Sequence, residues 1–260
     1  MLASKPALNR RVANGRSGLL TGCAIAVAMT VARQAPKAGA QVVLPDRSLQ
    51  GSWSSSTSTV EQGATQDTIT VNASQSIIDW TPVDGGNGGG DINFLPEGRS
   101  ALFTNGSSIT NYVVLNRIVP TDQTRAVRFD GTVQSQIVDS TGAPSRGGSV
   151  WFYSPGGIIA GATSVYDVGN LVLTANAIDT TDGLFGSNGE IRFRGTDGST
   201  SAIQIDSGAQ IRALTTGSYI AMVAPRIIQN GSVLVDGSVG YVAAESADGG
   251  PAMLVGSVER

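Results

Sequence analysis

The chemistry open to this chain is bounded first by what it lacks. It has no histidine, so no Ser-His-Asp or Cys-His arrangement and no His-ligated zinc or haem can be built. Its one cysteine, Cys23, lies in the N-terminal segment; the rest of the chain has no thiol and no intrachain disulfide. Carboxylates remain. Polysaccharide hydrolases and lyases need them clustered, or an Arg or Lys base with acids beside it. Asp130, Asp139, Asp197, Asp206 and Asp236 are instead scattered at positions that read as turns. Asp179 and Asp182 stand in a loop-like stretch, 176–189, where two carboxylates either meet a cation or are simply solvated. Gly85 to Asp91 superficially resembles a calcium-binding nonapeptide. Its Asp falls one place late and there is one copy, so it reads as a flexible loop. The expectation is a protein that is not an enzyme, with no cofactor and no metal site.

Two places hold polar or turn-forming groups in apolar surroundings. Asn116 and Arg117 interrupt the strand-like run 113–119, where polar groups are costly unless paired. They read either as a recognition element or as a buried Asn at a corner with Arg117 on the surface. Ser154-Pro155-Gly156-Gly157, followed by Ile158, reads as a tight turn after the apolar run 149–153. Within that run Trp151, Phe152 and Tyr153 alternate, which puts Phe152 on the face opposite the other two. Trp53 and Trp80 read as packing residues.

These residues need a scaffold, and the rest of the sequence reads as many short strands. The composition has 34 Gly, 14% charged and 5% aromatic residues, unlike a disordered chain of low hydrophobicity and high charge. Val- and Ile-rich segments, several alternating with polar residues, predict strands at 68–71, 76–80, 91–95, 113–119, 126–129, 149–153, 170–174, 191–194, 202–205, 219–223, 227–229, 232–235 and 240–244. Asn-Gly and Asp-Gly pairs stand between them as turns. No stretch after residue 40 has the amphipathic length of a helix. A loose repeat aligns Trp151 with Val172, Tyr219 with Tyr241, and Gly208 with Gly231. Spacings of 20–25 residues suggest a solenoid with parallel pairing between successive coils, and an antiparallel sandwich is the alternative.

Charge divides the chain. Residues 1–40 carry six of the 17 basic residues and no acid, leaving 11 basic residues, all Arg, against 20 acids in the remainder. An acidic chain without basic clusters is a poor match for nucleic acid or an anionic membrane surface. Lys5, Arg10, Arg11 and Arg16 precede an apolar stretch, and Ala38-Gly39-Ala40 precedes Gln41. This pattern reads as a signal peptide over 1–40 with cleavage between Ala40 and Gln41, and predicts a mature domain over 41–260, complete or truncated at its C-terminus. Cys23 follows a lipobox-like Leu20-Thr21-Gly22, but too little apolar chain precedes it for lipidation.

Three segments in order complete the reading: Tyr112 to Ile118 with its Asn116-Arg117, then Gly131-Thr132-Val133, then Gly147 to Ile159 with its Pro turn. Together they resemble the N-terminal secretion domain of filamentous-haemagglutinin-like two-partner secretion exoproteins. The resemblance covers roughly residues 41 to 245 and continues through Val165 to Val172. Where that family has Asn-Pro-Asn-Gly, this chain has Ser154-Pro155-Gly156-Gly157. Ser retains an acceptor for a backbone hydrogen bond and Gly accepts positive φ, so the turn is expected to survive. The resemblance implies an all-β fold: a right-handed parallel β-helix with N-terminal capping strands and small antiparallel extensions. It implies an exported protein, secreted or held at the cell surface. Its implied partner is an outer-membrane β-barrel transporter, which recognises it through periplasmic domains. Asn116, Arg117, Ser154, Pro155, Gly156, Gly157 and Ile158 would form the secretion motif. Such exoproteins continue for many hundreds of residues, so the chain is expected to be a fragment, a frameshifted product or the secretion module alone. The alternative is a free-standing β-helical surface protein or adhesin without a dedicated transporter, its ligand not written in the sequence.

Overall fold

A computed structural model describes residues 43–85, 89–186 and 189–249. The expected signal peptide and the Ala40–Gln41 junction lie outside the described residues, as do Gly86, Asn87 and Gly88 of the glycine-rich loop. The described residues are all-β, without a helix.

The strands fall into successive circuits. The first comprises β1 (Gly51–Ser54), β2 (Ser58–Glu61), β3 (Gln66–Val71), β4 (Gln75–Pro82) and β5 (Ile92–Leu95). Then come β6 (Ser100–Asn105), β7 (Val113–Ile118) and β8 (Val127–Phe129). The third has β9 (Thr132–Val138), β10 (Pro144–Arg146), β11 (Ser149–Tyr153) and β12 (Gly157–Ala160). The fourth has β13 (Val165–Asp167), β14 (Asn170–Thr174), an inserted pair β15 (Ala177–Ile178) and β16 (Ile191–Arg194), and β17 (Ala202–Ile205). β18 (Gln210–Ala224), β19 (Arg226–Gln229), β20 (Ser232–Ala243) and β21 (Ser246–Gly249) complete the strands among the described residues.

Most strands pair in parallel with a counterpart in the next circuit. β3, β6, β9, β13 and the start of β18 stack in parallel, as do β4, β7, β11, β14 and the end of β18. β20 follows β18 across both. The two stacks thus join in one 13-stranded, curled sheet. It is mixed, because β1 lies antiparallel on β4, β2 on β3 and β10 on β9. β1 and β2 stand at its two ends and cover edges that would otherwise be open to pairing. The third stack, β5–β8–β12–β17–β19, is wholly parallel. Trp151 pairs with Val172, the 21-residue step read from the sequence. Tyr219 does not pair with Tyr241: it lies beside Ser238, and Tyr241 beside Met222. The register between β18 and β20 shifts between Ala213 and Ser218, and a corner of that kind hides the pairing from a count of residues.

Side chains alternate between two cores. Ile78, Trp80, Val114, Ile118, Phe152 and Leu171 face the main one. An edge-to-face series runs through it, Trp80–Phe94–Phe129–Phe152, with ring centroids 5.5, 5.6 and 5.0 Å apart; each such pair contributes about 0.5–1.5 kcal/mol beyond area burial. Leu115, Trp151, Val172, Ala221 and Val223 face outward into a second core. Phe152 and Trp151 therefore point to opposite faces, as the alternation required. Strands buried on both faces read as continuous apolar runs, which explains Ser149–Tyr153 and Asn170–Thr174.

The second core exists because of the insertion. The stretch 176–189 was expected to be a surface loop. Instead β15 pairs with β16 and β16 with β21, and Ile178, Leu184, Ile191 and Phe193 are buried against Trp151 and its neighbours. The Phe185 ring meets Trp151 edge to face at 5.5 Å. Nor do Asp179 and Asp182 form a cation site: both carboxylates approach Arg192, at 3.6 and 3.1 Å.

Candidate functional site

The expected motif residues lie on two adjacent circuits, and the structure gives them different surroundings. Asn116 sits mid-β7 and is fully buried, beside Ile78 of β4 and Phe152 of β11. Its Oδ1 accepts from Trp80 Nε1 at 3.0 Å, and its Nδ2 donates to the Trp151 carbonyl at 3.2 Å. One amide thus ties three successive strands together through the core, and a partner has no access to it. The burial expected of Asn116 is found, but not at a corner: it lies in mid-strand, with Arg117 on the surface. Arg117 points the other way. It makes two hydrogen bonds to Asp79, 2.6 and 2.9 Å, on the exterior of the same stack.

The turn Ser154-Pro155-Gly156-Gly157 links β11 to β12. It closes through the backbone: the Gly157 N–H donates to the Ser154 carbonyl at 3.0 Å. The Ser154 hydroxyl was expected to accept a backbone hydrogen bond; it is buried and has no partner among the described residues, because the carbonyl already closes the turn. Gly157 has φ of +102°, a region that side-chain-bearing residues rarely adopt. A Cβ on Gly156 would stand 2.1 Å from the Arg125 carbonyl oxygen of the preceding circuit. Ile158 is in the main core, paired with Val127 and Ile203. Most of the turn is therefore packing geometry.

Pro155 and Gly156 are the part that meets solvent. They line a groove of about 580 Å³, shared with Gln123, Thr124, Asp197, Gln204 and Arg226. Its floor includes Ile159 and Ala202. Asp197 and Arg226 are exposed and form no ion pair among the described residues. The groove offers hydroxyls, amides, two carboxylates and one guanidinium; Asp91 is paired with Arg128 at 3.1 Å, Gln204 donates to Asp206 at 2.7 Å, Thr124 donates to Asp122 at 2.6 Å, and Ser199 and Ser201 bond to each other at 2.9 Å.

One cluster escaped the sequence reading. Arg128 of β8 lies 3.1 Å from Asp91, 3.0 Å from Asp206 and 3.7 Å from Asp130. Asp130 and Asp206 each have a turn position, as expected, yet they also occupy corresponding corners after β8 and β17 of one stack. That shared position was the available signal. Burial holds the Asp130 carboxyl above the ordinary range, against the opposing pull of Arg128. Burial also pushes Asp206 upward, but hydrogen bonds from Gln204 and Arg128 outweigh it and leave its pKa below the ordinary value. Divergent carboxylates are the raw material of acid–base catalysis. Here both face a shared guanidinium, which makes the cluster a clamp between circuits. Among the described residues no three His, Cys, Asp or Glu side chains gather to hold a metal ion.

Comparison of the chain with models of known protein families finds no match. A search among curated proteins likewise finds none.

Proposed function

We propose that this chain is the secretion-targeting domain of an exported, adhesin-like exoprotein. In this reading the domain is a right-handed parallel β-helix that folds outside the cell. A partner outer-membrane β-barrel transporter recognises it through periplasmic domains. The domain has no catalytic role and binds no cofactor. The observation that carries the reading is the ordered run of motif segments, from Asn116-Arg117 to the Pro155 turn, whose strands β7 and β11 are neighbours in one parallel stack. Three stacks visited in fixed order, with antiparallel strands at the first circuit, support the β-helix. Extensive non-local pairing makes folding slow, which suits a chain that must remain extended before it leaves the periplasm. The accessible part of the motif, Pro155 and Gly156, lies on a polar groove with one unpaired charge of each sign. That surface is suited to meeting a protein partner.

The test is export. The chain is expressed with a cognate partner barrel, and the culture supernatant is assayed for protein beginning at Gln41. Release that requires the barrel supports the reading. Folded, processed protein that stays in the periplasm with or without the barrel overturns it, and leaves a free-standing β-helical surface protein as the better account.

A further inference from the structure

Two Asn-Gly pairs lie among the described residues, one at the end of β6 and one between β19 and β20, and the fold treats them oppositely. Asn105 is 8% exposed. Its Nδ2 donates to the Ile109 and Val138 carbonyls at 2.5 and 3.0 Å, and its Oδ1 accepts from the Val138 N–H at 2.7 Å. The next N–H, of Gly106, donates to the Val71 carbonyl at 2.7 Å. Both the amide carbon and the neighbouring nitrogen are held. Asn230 differs on every count. It is exposed in the turn between β19 and β20, and its side chain makes no hydrogen bond among the described residues. Its own N–H donates to Ile205 and that of Ser232 to Ala209, but no backbone carbonyl takes the Gly231 N–H. The glycine cannot be exchanged cheaply. A Cβ there would lie 2.7 Å from the Asp206 carbonyl oxygen and from Ile205 Cγ2.

We propose that Asn230–Gly231 is a self-modifying site that loses its side-chain amide by internal attack. The Gly231 nitrogen forms a bond to Asn230 Cγ, closing a five-membered succinimide. The Cγ–Nδ2 bond breaks, and ammonia leaves with the former Gly231 proton. Water then opens the ring at either carbonyl, giving Asp or its β-linked isomer. Water is the only co-reactant. The absence of a side chain on Gly231 leaves its nitrogen open to approach, and the tight corner that demands glycine also maintains the reactive pair. The β-linked product lengthens the main chain at the turn. It also adds a carboxylate to a small groove lined by Gln210, Arg212 and Ser232. The last circuit, β19 and the start of β20, is then expected to loosen.

The folded protein is incubated in mildly alkaline buffer, and peptides are mapped by mass, with β-linked residues scored separately. Asn230 is expected to convert on the order of tenfold or more faster than Asn105, because Asn105 must first break its hydrogen bonds by local opening. In urea-unfolded protein the two should convert at similar rates, which ties the difference to the fold. Asn230→Gln should abolish the fast conversion without altering the unfolding midpoint. Amide exchange in β19 and β20 should rise in the aged wild type and not in that variant. Equal rates at the two sites in the folded protein, or conversion of Asn230 only after unfolding, would overturn the proposal.

Discussion

Asn116 and Pro155 belong to two segments of the same expected motif, yet one faces inward and the other outward. Asn116 is enclosed between Trp80 and the Trp151 carbonyl, with both ends of its amide engaged. Pro155 shares a solvent groove with Gln123 and Arg226. A buried amide of this kind holds neighbouring circuits in register, whereas a partly exposed proline beside unpaired charges can be read by another molecule. Segments of one motif, separated in the chain, can therefore serve two purposes: part builds the surface and part is the surface.

The largest effect expected from breaking this comparison lies where the turn meets the scaffold. Gly156→Ala drives a methyl group into the Arg125 carbonyl, 2.1 Å away; backbone cannot yield as a side-chain tip can, so the loss should be about 3 kcal/mol or more. Urea unfolding followed by tryptophan fluorescence measures it. Asn116→Ala should come next, at about 3 kcal/mol, since it strands the Trp80 N–H and a strand carbonyl in the core. Both variants should lose export, but through stability. Pro155→Ala sharpens the contrast. Its stability should change by less than about 1 kcal/mol, while barrel-dependent release falls. A Pro155→Ala protein exported like the wild type would remove the exposed turn from recognition.

How far the sequence foretold this arrangement depends on how local each signal is. Ser149–Tyr153 and Asn170–Thr174 were legible to the residue, because strands buried on both faces show as unbroken apolar runs. β12 was missed: Gly157–Ala160 is four residues long and begins inside the turn that announces it. β6, with its polar ends Ser100 and Asn105, was also passed over. The covering insertion was unreadable, since Leu184 and Phe185 stand among Gly and Asp and reveal their use only against Trp151. The Arg128 clamp failed for a related reason. The insertion between β14 and β17 breaks the spacing that would have aligned Asp130 with Asp206. Of the motif, the turn was legible. The Ser154 hydroxyl was not, because its expected role is taken by its own carbonyl.

Smaller effects should come from the exterior charges. Arg117→Ala removes two good hydrogen bonds to Asp79, but the pair is a third to half exposed; solvent screening limits the loss to below about 1 kcal/mol. The clamp around Arg128 gives the finest comparison, because two of its three carboxylates, Asp130 and Asp206, are shifted in opposite directions. The pKa of Asp206 is lowered on folding, so its stabilisation is present above the ordinary value of 3.8 and fades as pH falls through the folded one. Asp130 is raised, chiefly by burial, so its ionisation costs stability as pH rises through the folded value. At neutral pH Asp206→Asn should therefore lose about 1 kcal/mol, and Asp130→Asn should be neutral or gain a few tenths, roughly the cost of an unneeded buried charge. Only once pH has fallen below the lowered folded value of Asp206 are both wild-type carboxylates largely protonated, and there the two variants should converge. Urea midpoints across that range decide the matter. If Asp130→Asn is as damaging at neutral pH as Asp206→Asn, the Arg128 contact at 3.7 Å outweighs burial, and the clamp grips both corners equally.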